Sequence, residues 1–251
     1  MEYGVFSHKG KNRKSNQDYY FAPDTKEADL SFIMVADGMG GHNAGDLASR
    51  LTVEYVTNCL KKEYSKKVDK KTLIGIIYDS INEANKRIYT MAKEDEHLHG
   101  MGTTLTLAVF KDKMVYIAHI GDSRCYIIRG KDVRQVTRDH SLVQELVDNG
   151  SITMDQMLGH PKKNLITRAL GTEGKIKVDI FEEKLEPEDI ILLCTDGLIN
   201  YVKLDLLISD LANDLSPCSL VKTLGEKALE AGGKDDITIV AAKYTSHKKE
   251  R

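Results

Sequence analysis

An apolar run, Phe32 to Ala36, empties into Asp37-Gly38-Met39-Gly40-Gly41, and the pattern recurs along the chain. Ile190 to Thr195 ends at Asp196-Gly197, and Val115 to Ile120 ends at Gly121-Asp122. Near the C-terminus the order reverses, with Gly232-Gly233-Lys234-Asp235-Asp236 leading into Ile237 to Ala242. Runs this short, bounded by glycine, suit buried strands. Acids that flank several such strands can meet at one edge of a folded sheet, which restricts the topologies open to the chain. Hard cations such as magnesium and manganese take carboxylate, carbonyl and water oxygens, so a metal site is one reading of that edge. A plain turn is the other, because aspartate bonds its own backbone and glycine supplies positive φ. Agreement among the segments favours the site.

The chain has 251 residues, 41% of them hydrophobic, enough to bury a substantial core. No Pro/Ser-rich linker or repeat divides it, so residues 1–245 are expected to form one catalytic domain, with 246–251 a short basic tail. A net charge of −2, with both signs mixed, argues against a nucleic-acid surface. The N-terminus lacks the apolar core of a signal peptide, and no apolar run of about 18 residues is present, so a cytoplasmic protein with no membrane insertion is expected. Cys59, Cys125, Cys194 and Cys218 form no Cys-x-x-Cys pair and read as buried reduced thiols. None has an arginine six positions later, as a thiolate phosphatase loop requires, and the histidines lack zinc-site spacing.

Helical period is clearest from Lys71 to Ala92, and a second helix is expected from Ala44 to Lys62. Ser216-Pro217 starts a third, as an N-cap followed by proline at the first helical position, and Ala231-Gly232-Gly233 ends it. Strands are expected near 3–7, 31–36, 103–110, 113–120, 124–129, 176–182, 189–195 and 237–244. Hairpin turns at Phe110 to Met114 and Ile128 to Asp132 make much of the sheet antiparallel. The fold class is α+β. Residues 139–171 break the regularity, with a short amphipathic helix and the loop His160-Pro161-Lys162-Lys163, as in an insertion that covers a site.

Taken together, Arg13-Lys14-Ser15-Asn16-Gln17-Asp18, Asp37-Gly38-Met39-Gly40-Gly41-His42, Gly121-Asp122-Ser123-Arg124, Thr167-Arg168-Ala169-Leu170-Gly171, Thr195-Asp196-Gly197-Leu198 and Gly232-Gly233-Lys234-Asp235-Asp236-Ile237-Thr238 resemble the metal-dependent protein serine/threonine phosphatases of the type 2C class, in their compact bacterial form. The resemblance spans nearly the whole chain. It implies a β-sandwich of two mainly antiparallel sheets flanked by helices on both faces (α-β-β-α), with a flap at about 139–171. It also implies two manganese or magnesium ions at one end and a weaker third. On this pattern Asp37 bridges the two ions, Gly38 binds through its carbonyl, and Asp196 and Asp235 complete one protein shell. Asp18 lies close by through water, Asp122 matches the acid for the third ion, and Arg13 clamps the substrate phosphate. The implied reaction is hydrolysis of phosphoserine and phosphothreonine in proteins by a hydroxide between the ions, opposing a cognate bacterial Ser/Thr kinase. A monomer is expected.

The chain departs from the family at several positions. Met39 stands where many eukaryotic relatives carry a histidine suited to protonating the leaving group, which leaves metal-bound water as the preferred donor and His42 as an alternative. Gln17 replaces a frequent glutamate, Asp236 a frequent asparagine, and Asn200 stands where an aspartate can serve the third ion. Asp235 is chosen over Asp236 as the ligand by the family's order. Two other readings remain: a metal-binding pseudophosphatase scaffold, whose signature would be a lost ligand, and a two-metal nuclease, which would need a basic groove.

Overall fold

The computed structural model describes all residues except 25–30, 42–43, 66, 211–215 and 246–251. The His42 and C-terminal tail expectations therefore lie outside the described residues. In chain order the strands are β1 (Glu2–His8), β2 (Asp18–Phe21), β3 (Phe32–Met39), β4 (Gly102–Thr103), β5 (Leu105–Lys111), β6 (Met114–Ile120), β7 (Arg124–Arg129), β8 (Asp132–Gln135), β9 (Asp179–Lys184), β10 (Ile190–Cys194) and β11 (Ile237–Lys243). The helices are α1 (Ala44–Glu63), α2 (Lys70–Glu94), α3 (Leu142–Asp148), α4 (Met154–Leu158), α5 (Asp196–Ile199), α6 (Leu204–Asp210) and α7 (Pro217–Glu230).

One sheet has the order β1-β11-β10-β7-β8, and the other β2-β3-β5-β6-β9 with β4 beside β3. All of these pairings are antiparallel. Side chains two apart on a strand share a face, and β3 shows what that does. Ile33 and Val35 point between the sheets, where they meet Ile117, Ile127, Leu193 and Val240. Phe32, Met34 and Ala36 point outward onto α1 and α2, where Val53, Val56, Ile77 and Ile81 cover them. The opposite sheet repeats the arrangement, with Leu192, Ile239 and Ala241 packed under Leu220 and Leu224 of α7. The layers are helix, sheet, sheet, helix. The Phe32 to Ala36 run of β3 and all of β10 are buried on both faces, which is why they read as unbroken apolar runs.

The helix signals hold. Asp69 caps α2 by accepting from Thr72 N, and Ser216 caps α7 with Pro217 in its first turn. Gly130, at φ 59°, turns β7 into β8, and Asp112, at φ 55°, turns β5 into β6. Several details differ from the sequence reading: β8 lies outside the expected strands, and the strand expected at 103–110 is divided into β4 and β5. β2 was not expected, because Asp18 to Phe21 is short and partly polar and forms a strand only by pairing with β3. The strand expected from residue 176 begins at Asp179. Cys218 is exposed at the start of α7 and Cys59 is half-buried, while Cys125 and Cys194 are buried as expected.

Candidate metal centre

Asp37-Gly38 is not a turn. β3 runs through both residues, and the chain bends only at Gly40, whose φ is 144°. Gly38 is needed for a different reason: a Cβ there would lie 2.1 Å from Gly45 O of α1 and 2.6 Å from Gln17 O. Gly38 N also donates to Gln17 O at 3.0 Å. Close backbone packing on both sides thus seats Asp37 against the start of α1. The Asp37 amide donates to Thr104 Oγ1 at 2.9 Å, and its carbonyl accepts from Thr104 N and Thr103 Oγ1, each at 2.9 Å.

Asp18 lies directly opposite Asp37 in the β2–β3 register. Its Oδ2 accepts from Thr195 Oγ1 at 2.8 Å, a bond between the two sheets. The same Thr195 oxygen accepts from Thr238 N at 3.0 Å, and Asp196 follows at the start of α5. Asp235 and Asp236, side by side before β11, have separate surroundings. Asp236 is buried, and its two oxygens accept from Gly10 N at 3.0 Å and Gln17 N at 2.9 Å. Asp235 is more exposed, pairs with an Arg13 terminal nitrogen, and accepts from Asp236 N at 2.8 Å. The other Arg13 terminal nitrogen donates to Gln17 Oε1 at 3.4 Å.

Charge is concentrated here. Burial, followed by Asp18, Asp196, Asp122 and Asp235, raises the Asp37 pKa well above the carboxylate range. Burial is also the main cause for Asp18, with Asp236 and Asp196 adding to it. Asp196 is pushed up to about 6 by burial and Asp235, and Asp122 to about 8 by burial, Asp196 and Asp139. Partial burial works against the Arg13 charge, and Asp235, Asp236 and Asp37 more than offset it. Each carboxylate shift has the same origin, negative charge removed from water without enough positive charge beside it.

The donor set fits a hard cation. Asp18 Oδ1, Asp122 Oδ1 and Asp196 Oδ1 are buried with no hydrogen-bond partner, a costly state that an ion would relieve. Among the described residues no three acid, histidine or cysteine side chains form a ready-made cage. Magnesium-like ions are commonly held by one or two carboxylates and retained water.

Beside the acids lies a cleft of about 290 Å³, lined among others by Asp122, Arg124, Asp139, Lys163, Asp196 and Asn200. Arg124 holds Asp139 through Nε and one terminal nitrogen, at 2.7 to 3.0 Å. Lys163 Nζ, from the 139–171 region, donates to Asn200 Oδ1 at 3.2 Å, and Asn200 Nδ2 donates to Asp196 Oδ2 at 3.1 Å.

The model of the protein phosphatase 2C family matches residues 7–230. The chain belongs to that family. It is a metal-dependent protein serine/threonine phosphatase. The serine/threonine phosphatase stp of Listeria welshimeri is 38% identical over 232 residues, 92% of this chain and 91% of that protein. The crystal structure of Stp1 from Staphylococcus aureus matches with a TM-score of 0.89 at 30% identity, covering 98% of this chain and 96% of that one. The catalytic domain of the phosphatase PstP, in complex with two manganese ions, matches with a TM-score of 0.85 at 31% identity, covering 97% and 98%.

The phosphatase thus brings Arg13, Asp18, Asp37, Asp122, Asp196 and Asp235 to one edge, from five separate segments. Sequence reasoning missed the residues that hold those acids: Thr104, Thr195 and Thr238. A threonine at a strand end carries no signal by itself, although Thr195 immediately before Asp196-Gly197 was the place to look.

Proposed function

We propose that residues 1–245 act as one catalytic unit in which Asp37, Asp196, Asp235 and the Gly38 carbonyl hold two divalent cations, manganese or magnesium. Asp18 sits beside them, and Asp122 takes a weaker third ion. The observation that carries this reading is the set of buried, unpartnered carboxylate oxygens on Asp18, Asp122 and Asp196, whose pKa values are raised first by burial and then by neighbouring acids. When bound, the ions supply water activated for attack and neutralise charge on the phosphoryl oxygens.

This chain's own residues do the remaining work. Arg13 offers a planar fork for two phosphoryl oxygens, and its pairing with Asp235 puts that fork at the acid edge. Asp236 fixes the Gly10 and Gln17 amides on either side of Arg13, which holds the arginine loop in register with β11. Met39 has no proton to give, so the departing serine or threonine oxygen takes its proton from water. The 139–171 surface, with α3, α4 and Lys163, borders the cleft and selects among phosphoproteins. The protein works as a cytoplasmic monomer on the products of a cognate Ser/Thr kinase. Among the described residues no helix is long and apolar enough to cross a membrane. No observation favours a scaffold without turnover.

The test is manganese-dependent hydrolysis of a phosphothreonine peptide by Asp37→Asn and Asp196→Asn, with folding checked by circular dichroism. Loss of at least about 100-fold is expected, since each variant removes charge stabilisation from the transition state. Full activity in both variants would sink the reading.

A further inference from the structure

We propose that His140 is a positioning residue, whose imidazole clamps the loop carrying Asp122 and ties it to both roots of the 139–171 region. The proposal rests on the assignment of Asp122 to the metal centre. Gly121 N donates to His140 Nδ1 at 3.1 Å, and His140 N donates to Gly121 O at 2.7 Å. The two residues therefore grip each other in both directions. A backbone N–H only donates, so Nδ1 is bare and the ring proton sits on Nε2.

Nε2 lies 3.0 Å from Asp179 Oδ2 of β9, and a carboxylate only accepts, so Asp179 holds the ring in that tautomer. Arg168, 3.1 Å from the same Nε2, is satisfied instead by Asp179 Oδ1 at 3.3 Å. Beneath the ring, His119 packs at 4.8 Å between centroids, is fully buried, and donates from Nε2 to Arg138 O at 3.1 Å. The imidazole cannot rotate without breaking one of these contacts.

The clamp bears on the metal centre through a loop with little freedom. Gly121 has φ 108°, and a Cβ there would lie 2.4 Å from Thr104 Cγ2. Thr104 Oγ1 accepts from Asp37 N and shares a further hydrogen bond with Ser123 Oγ at 2.8 Å. Asp122 is thus fixed on one side through the Asp37 strand and on the other by His140. His140 O also accepts from Thr167 N at 2.8 Å, and Ser141 bridges Ile166, so the outgoing and returning ends of 139–171 join at this histidine.

Asparagine and glutamine separate the two ends of the ring, because Asn Oδ1 can take the place of Nδ1 while Gln reaches the Nε2 position. In the full-length protein, His140→Asn is expected to keep kcat on a phosphothreonine peptide within about threefold of wild type. His140→Gln and His140→Ala should lose about tenfold in kcat, with KM unchanged and a weaker manganese affinity by calorimetry, as for one lost hydrogen bond. Nitrogen-15 spectra of the metal-free protein should show His140 protonated at Nε2 only, with the Gly121 amide slow to exchange. A proton on Nδ1, a wild-type His140→Gln variant, or equal losses in the Asn and Gln variants would overturn the proposal. Failure of the wild-type protein to bind manganese would instead remove the metal reading, and the ring tautomer would still decide the clamp.

Discussion

Asp18 and Asp37 face each other directly across the β2–β3 ladder. Like charges in this relation destabilise an antiparallel pair. Here both acids also lie deep in a cluster that raises their pKa values well above the usual range. Under the proposed metal reading, this repulsive pair at the sheet edge would serve the reaction at a cost borne by the rest of the fold.

Asp18→Asn relieves that repulsion while its amide oxygen can still accept from Thr195. In EDTA the variant is expected to be more stable by ~1 kcal/mol, a Tm rise of about 2–4 °C for a domain of this size. Manganese-dependent turnover should fall at least about tenfold. A Tm at or below wild type in EDTA would contradict the electrostatic account.

Stability of the metal-free protein should fall as pH rises. Asp196 is raised to about 6 and Asp122 to about 8, against roughly 4 in the unfolded chain. Between those limits the folded state holds more protons than the unfolded one. The stability of the neutral acids is therefore complete below about pH 4 and is lost as pH passes through about 6 and then 8. Ions bind the deprotonated acids, so manganese should oppose the loss. Thermal melts from about pH 5.5 to 8.5, with EDTA or with manganese, should diverge as pH rises; parallel curves would reject the claim.

The adjacent acids before β11 should separate cleanly. Asp236→Asn replaces one of two acceptors with a donor facing a backbone N–H, at Gly10 or Gln17, and should cost about 1–3 kcal/mol of stability. Asp235→Asn should leave the melting temperature nearly unchanged and weaken manganese binding. Chemical denaturation and manganese calorimetry on both variants give the comparison, and the reverse assignment would show as reversed results.

Arg13 tests phosphate recognition. Its fork is matched to paired oxygens in a way that the lysine ammonium is not, so Arg13→Lys should not rescue function. Both Arg13→Lys and Arg13→Ala are expected to lose about 10–100-fold in kcat/KM on a phosphothreonine peptide, the equivalent of ~1.5–3 kcal/mol for a charge-assisted hydrogen bond. Wild-type kcat/KM in the lysine variant would remove the bidentate role.

The local chemistry of Asp37, Asp122, Asp196 and Asp235 was legible in the chain, as were α2, α7 and the hairpin turns at Asp112 and Gly130. Apolar period, caps and turn residues are near-neighbour properties, and the strands of the central sheets are apolar enough to declare themselves. Other features required the folded chain. β2 exists only because β3 lies beside it, and Gly38 is required by α1 rather than by a turn. Asp235 and Asp236 are indistinguishable as letters; backbone amides more than two hundred residues away, at Gly10 and Gln17, engage one and leave the other to Arg13. Thr195 and His140 gain their roles in the same way. Sequence alone determined which residues are chemically able to serve such a site, because residue type sets charge and donor capacity. Tertiary structure decided which of them are spent on holding the backbone and which face the site, because hydrogen-bond partners and burial are fixed by contacts between distant segments.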